Sequence, residues 1–212
     1  MHCFRYRMDH DYGFAPNPFW GTLTLACCKA QIRNSRVLTV GDWIVGLGSV
    51  AMGNEGTVVY AAQVKKTMSF DDYWNSPDYQ VKKANINGTM IQMYGDNVYH
   101  TIDGQVVQEP CAHSNDPNGK HKKSDVSGKN VLICECFYYF GEQAPRLPKD
   151  LAYIGDTRNP RAIRYTDLDD EKIQAFTDWL AANFKQGIHG DPCNWKEFKR
   201  EKYEIYEDEE KQ

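Results

Sequence analysis

Four aromatic rings and two polar side chains are crowded into the stretch Asp11-Tyr12-Gly13-Phe14-Ala15-Pro16-Asn17-Pro18-Phe19-Trp20. Pro16 and Pro18 fix the local backbone, so Tyr12, Phe14, Phe19 and Trp20 are presented with little entropy left to lose. Rings held in this way suit stacking against a flat base. Asp11 and Asn17 supply groups that can read the edge of such a base. The same rings would also serve to plug one end of a barrel, and the sequence leaves both readings open.

A second group is Tyr94-Gly95-Asp96-Asn97-Val98-Tyr99-His100. A carboxylate, an amide, a phenol and an imidazole within five residues can do acid–base work, with Asp96 and His100 as the catalytic pair and Asp11 assisting. Asn97 and Tyr99 join the base-binding set. The alternative is a turn whose Asp and Asn satisfy their own backbone. The stretch Gly41–Ser49 carries glycines at both ends of a short apolar strand, which permit tight turns or a close ligand approach. Trp43 within it suits an aromatic cage or a core. Lys29 and Arg33 are the nearby cations for phosphate; the other basic residues, Arg36, Lys65 and Lys66, Lys82 and Lys83, and Lys120 to Lys123, read as solvated surface unless they converge.

Other chemistries lack their signatures. No P-loop, Gly-x-Ser-x-Gly or His-Glu-x-x-His occurs. Cys111, His113, Cys134 and Cys136 match no common zinc spacing, and Cys27-Cys28 point to opposite faces of a strand, so no metal and no cofactor is expected. The chain has 212 residues, 41% hydrophobic and 25% charged, which suits one ordinary domain with a packed core. Six acidic residues against Lys202 and Lys211 in positions 201–212 carry the whole net charge of −4. The rest is neutral, which argues against coating DNA by bulk charge. Seven cysteines, no basic-then-apolar leader and no apolar run of membrane length fit a cytoplasmic protein with reduced thiols.

The elements that must position these groups alternate at strand period early and at helix period late. Strands are expected at Cys3–Met8, Thr22–Cys28, Trp43–Leu47, Thr57–Val64, Met90–Tyr94, Val98–Ile102 and Gln105–Val107, with one long strand over Val131–Phe140. Ser69 caps a short helix that Pro77 ends, and residues 110–130 read as a mobile loop. Asp169–Phe184 is the clearest helix, with Asp169 as its cap and Ile173, Phe176, Leu180 and Phe184 on one face. A last helix over Trp195–Tyr206 precedes the acidic tail. The expectation is an α+β fold: a curved sheet or small PUA-like β-barrel over residues 1–150, and a helical extension over 151–212 packed on the same domain.

With these features in order, the first 145 or so residues resemble the nucleotide modification associated domain 2 family of bacteria and phages. The resemblance rests on Asp11–Trp20, Thr22–Lys29 with Ile32-Arg33, Gly41–Ser49, the strand leading to Phe70 with Tyr73-Trp74, Tyr94–His100, His113-Ser114 and Tyr139-Phe140-Gly141. It implies a link to nucleotide or base modification, or to phage–host conflict, without a defined reaction. The order of strand, Gly-Asp, strand and Ser69–Trp74 is also similar to the PUA-like superfamily with its EVE and YTH domains, which implies a modified base held in an aromatic cage. The expected partner is therefore a nucleotide or nucleic acid with a modified base. Alternatives are an enzyme modifying or excising a nucleobase through Asp96 and His100, and a protein-interaction module built on the C-terminal helices.

Overall fold

The computed structural model describes residues 1–112, 119–156, 163, 165 and 167–197. Strand β1 (Cys3–Arg7) alternates, sending Phe4 and Tyr6 into one core and Cys3 into another. It pairs in parallel with β3 (Trp43–Leu47), which follows the short β2 (Leu23–Leu25) and the single helical turn α1 (Ala30–Arg33). Strand β4 (Val58–Gln63) runs antiparallel to β3. Their register shifts between Gly46 and Leu47, and the odd residue reverses the alternation, so that Tyr60 faces the first core and Val58 the second. Gly46 is required there: a Cβ would lie 2.3 Å from the Tyr60 ring.

Strand β5 (Lys66–Ser69) leads into α2 (Phe70–Asn75), where the Ser69 hydroxyl accepts from the Asp72 amide at 3.0 Å as the sequence predicts. The Asp103-Gly104 turn joins β6 (Tyr99–Ile102) to β7 (Gln105–Gln108), with φ positive at both turn residues. Met90–Met93 departs from its expected strand and forms a helical turn, α3. Thr89 and Gln92 close a capping box on it, a local signal stronger than the short apolar alternation. Residues 110–130 also depart from the expected loop. Helix α4 (Lys120–Val126) occupies part of them, with Asp125 buried; residues 113–118, including His113, fall outside the described residues.

The long strand expected at Val131–Phe140 is two, β8 (Asn130–Cys134) and β9 (Cys136–Tyr139), parted at Glu135. β8 lies between β2 and β5 in a three-stranded sheet. β9 continues the larger sheet, which runs β1-β3-β4-β9-β10, with β10 at Gly187–Ile188. The chain turns sharply from one sheet into the other at the β4–β5 and β8–β9 corners. The result is an α+β fold in which these two sheets, with the two-stranded β6-β7 ribbon beside them, do not close into the barrel that was one of the two forms expected; β1 and β10, and β2 and β5, are left as edges.

The first core lies between the sheets. The outer face of the large sheet is covered by the 3₁₀ turn Lys149–Ile154 and by α5 (Asp170–Asn183), whose Ile173, Phe176 and Leu180 point inward. Asp169 caps α5 by accepting from the Lys172 amide at 2.9 Å. A helix built into the core in this way is part of the fold, not a free arm. The last helix expected over Trp195–Tyr206 is described only as a turn at Trp195–Glu197, and the rest lies outside the described residues. Among the described residues no helix is long and apolar enough to cross a membrane.

Candidate functional site

The aromatic loop is pinned before it can present anything. Both Asp11 carboxylate oxygens accept the Tyr139 hydroxyl at 2.7 Å, and they also accept the Gly13 amide at 3.1 Å and the Cys193 amide at 3.2 Å. Burial raises the Asp11 pKa, and these donors oppose the rise. The segment after β10 is clasped to the same place. Asp11 and Asn194 exchange hydrogen bonds of 2.7 and 2.9 Å, the Trp195 indole donates to the Tyr12 carbonyl at 2.9 Å, and Trp195 stacks on Phe19 at 5.6 Å. Phe14, Phe19 and Asn17 are buried, whereas Trp20 stands out at 48% exposure.

A shallow cleft, partly open to solvent, lies beside the loop. Tyr12 and Tyr94 form part of its wall as nearly parallel rings, 5.5 Å apart and 12° off plane, and His10 leans on Tyr12 at 5.5 Å. Tyr6, Asp9, Phe14, Cys28 and Lys29 complete the polar and aromatic lining. Lys29 has a left-handed backbone, φ 41°, which sets its Nζ over the Tyr6 ring at 4.2 Å. Among the described residues no carboxylate forms an ion pair with it. Burial lowers its pKa, opposed by attraction from Cys28 and from Asp9.

Two other groups in the cleft, His10 and Cys28, are neutral. Burial, reinforced by Lys29, lowers the His10 pKa and favours the uncharged imidazole, which has one donor and one acceptor nitrogen. Burial pushes the Cys28 thiol up to about 12, so at neutral pH it is not a thiolate nucleophile. The cleft therefore offers aromatic faces, a neutral imidazole, the Asp9 carboxylate and one cation, Lys29, that forms no ion pair among the described residues.

The remaining residues singled out from the sequence lie elsewhere. Asp96 is fully buried, its oxygens accepting the Thr24 and Tyr73 hydroxyls at 2.7 Å each. Nearby, the buried Lys82 donates to the Asn17 carbonyl, the Asn17 side chain and the Thr22 carbonyl at 2.7 to 3.1 Å. The Asn17 amide donates in turn to the Gly13 and Tyr94 carbonyls, so this network braces the back of the cleft. Asn97 is buried and donates to the Tyr73 and Tyr79 carbonyls. His100 stacks on Trp74 at 4.1 Å and meets Glu109 at 2.6 Å; among the described residues no hydrogen bond joins it to Asp96.

Tyr99 is buried with its hydroxyl on Asp125. Arg33 is also buried, its guanidinium donating to the carbonyls of Cys28, Asn130 and Asp125, which fixes the Cys28-Lys29 turn from below. Trp43 belongs to the core under α5. Of the positions chosen from sequence, Tyr12, Phe14 and Lys29 share the cleft. Tyr6, Asp9 and His10 were not chosen, although the alternation of Phe4 and Tyr6 in β1 is their one visible signal. Among the described residues no group of three or more His, Cys, Asp and Glu is placed to hold a metal ion.

A family model described as nucleotide modification associated domain 2 matches residues 1–199, well beyond the 145 or so that carry the sequence motifs. No curated protein and no solved structure matches the chain.

Proposed function

The chain belongs to the nucleotide modification associated domain 2 family, and from that premise we propose that the cleft beside Tyr12 binds a nucleotide, free or within a nucleic acid, by its base. The base stacks in the Tyr12–Tyr94 wall against Phe14, His10 and Asp9 read its edge, and Lys29 receives the phosphate. The observation that carries this reading is Lys29 itself, a partly buried cation set over a tyrosine ring between aromatic walls, with no ion-pair partner among the described residues. A cation removed from water in this way is costly until an anion joins it. Neutral His10 favours a base edge over a second phosphate.

Calorimetric titration tests the proposal, with the four deoxynucleoside 5′-monophosphates and the 5-hydroxymethyl forms of the two pyrimidine nucleotides as ligands. At least one should bind. Tyr12→Ala should weaken that binding about tenfold or more, the value of one lost base–aromatic stack. Lys29→Gln should erase the preference for the nucleotide over its nucleoside, and Trp20→Ala should change nothing. Binding of none of these ligands, or undiminished binding by Tyr12→Ala, would overturn it.

A further inference from the structure

The cleft does not end at Lys29. An adjoining open hollow shares Tyr6, Asp9 and Lys29 with it and is lined further by Arg7, Gln31 and Ser124. Arg7 in turn borders a third open hollow that reaches Gly48, Glu55, Thr57 and Arg146. The three follow the end of β1 and the residues just after it, passing the end of its parallel neighbour β3, where Arg7 lies opposite Leu47. Cations therefore recur along one path in the order Lys29, Arg7, Arg146. Glu55 offsets Arg7 at 2.7 Å, but Arg146 is exposed and has no carboxylate partner among the described residues.

A single nucleotide with its base in the cleft and its phosphate at Lys29 leaves the second and third hollows unfilled. A strand fills them. Its repeating phosphates match a row of separated cations, whereas a free nucleotide has nothing to place beyond the first. We propose that the ligand is a single strand with one base in the Tyr12 cleft and its backbone running past Lys29 and Arg7 to Arg146; this rests on the nucleotide reading of that cleft. The neutrality of residues 1–200 fits a short path of this kind rather than a coated surface. Gln31 and Ser124 supply uncharged donors for sugar and phosphate oxygens between the cations.

The test compares each deoxynucleoside 5′-monophosphate with its trideoxynucleotide, by calorimetry at several salt concentrations. The trinucleotide should bind more tightly. Arg146→Ala should remove about fivefold of that gain, the order expected of one exposed charge pair. It should also lower the slope of log K against log salt by about 0.7, one phosphate contact on a single strand. The same variant should leave mononucleotide binding unchanged, and Arg36→Ala, at an exposed position off the path, should alter neither ligand. Equal affinity for the two lengths would overturn the strand while leaving the base cleft standing. Tighter trinucleotide binding that ignores Arg146→Ala would overturn the path. Binding of neither length overturns the strand together with the cleft reading beneath it.

Discussion

Lys82→Met is expected to destabilise the protein by about 3–5 kcal/mol, the usual consequence of removing one charge from a buried polar network. The three protons of its ammonium go to the Asn17 carbonyl, the Asn17 side chain and the Thr22 carbonyl. Methionine leaves those oxygens without a donor and leaves buried Asp96 without the cation that favours its ionised form. Urea unfolding measures the loss. Lys83→Met, one residue on, should cost less than about 1 kcal/mol, because among the described residues the half-buried Lys83 ammonium makes a cation–π contact with Trp74 and no hydrogen bond. Equal costs at the two positions would contradict this account of the network.

Lys82 also gives stability a pH dependence. Burial lowers its pKa to about 8, against attraction from Asp96. Between about 8 and the ordinary 10.5 the unfolded chain holds a proton that the folded protein has released. Stability from this group therefore rises with pH across that window, by about 1.4 kcal/mol per pH unit at most. Buried Tyr60, Tyr73 and Tyr139 act oppositely above about 10, where unfolded phenols ionise and folded ones, raised by burial, do not. The thiols of Cys3, Cys27, Cys28, Cys134 and Cys193, raised by burial, act in that same opposite sense from about 9. Total stability should therefore fall above about pH 9, and Lys82→Met should steepen that fall.

Asp11→Ala should be nearly as damaging, at about 3 kcal/mol, because it strands the Tyr139 hydroxyl and the Gly13 and Cys193 amides at once. It should also reach the ligand. Asp11 holds the loop that carries Tyr12 against residues 193–195, so its loss frees one wall of the cleft. Asp11→Asn keeps an acceptor and should retain more of both stability and nucleotide affinity. The paired readouts are thermal unfolding and calorimetry on the two variants. A stable Asp11→Ala protein with undiminished affinity would show that the clasp does not set the wall.

Lys82 and Lys83 show where the sequence stops being legible. They are adjacent, chemically identical and set in the same polar surroundings, yet one is sealed in the interior and the other lies over Trp74. Periodicity reports which residues share a face of their own element, not which other element will cover it. Strands β3 and β4, helices α2 and α5 with their caps, and the Asp103-Gly104 turn were readable because each is written locally. The α3 turn and the break at Glu135 were not. A four-residue capping box outweighs weak alternation, and a strand that changes sheets keeps an unbroken pattern. The same limit applies to the cleft. The aromatic loop borders the cleft, but Asp11, Asn17 and Arg33 are buried behind it and do not line it. Tyr6 and His10 enter it only because β1 ends beside Lys29. Lys29 itself carries a legible residue type at a place that only its left-handed backbone reveals.

The central claim, that a nucleotide base enters the cleft between Tyr12 and Lys29, is tested most directly by mapping amide chemical shifts during titration with the tightest-binding deoxynucleoside 5′-monophosphate. The account predicts saturable shifts concentrated at Tyr6, Asp9 to Tyr12, Cys28-Lys29 and Tyr94, absent in Tyr12→Ala. Shifts centred instead on the Trp74–His100 stack or on Trp43, or no saturable shift in the cleft, would contradict it.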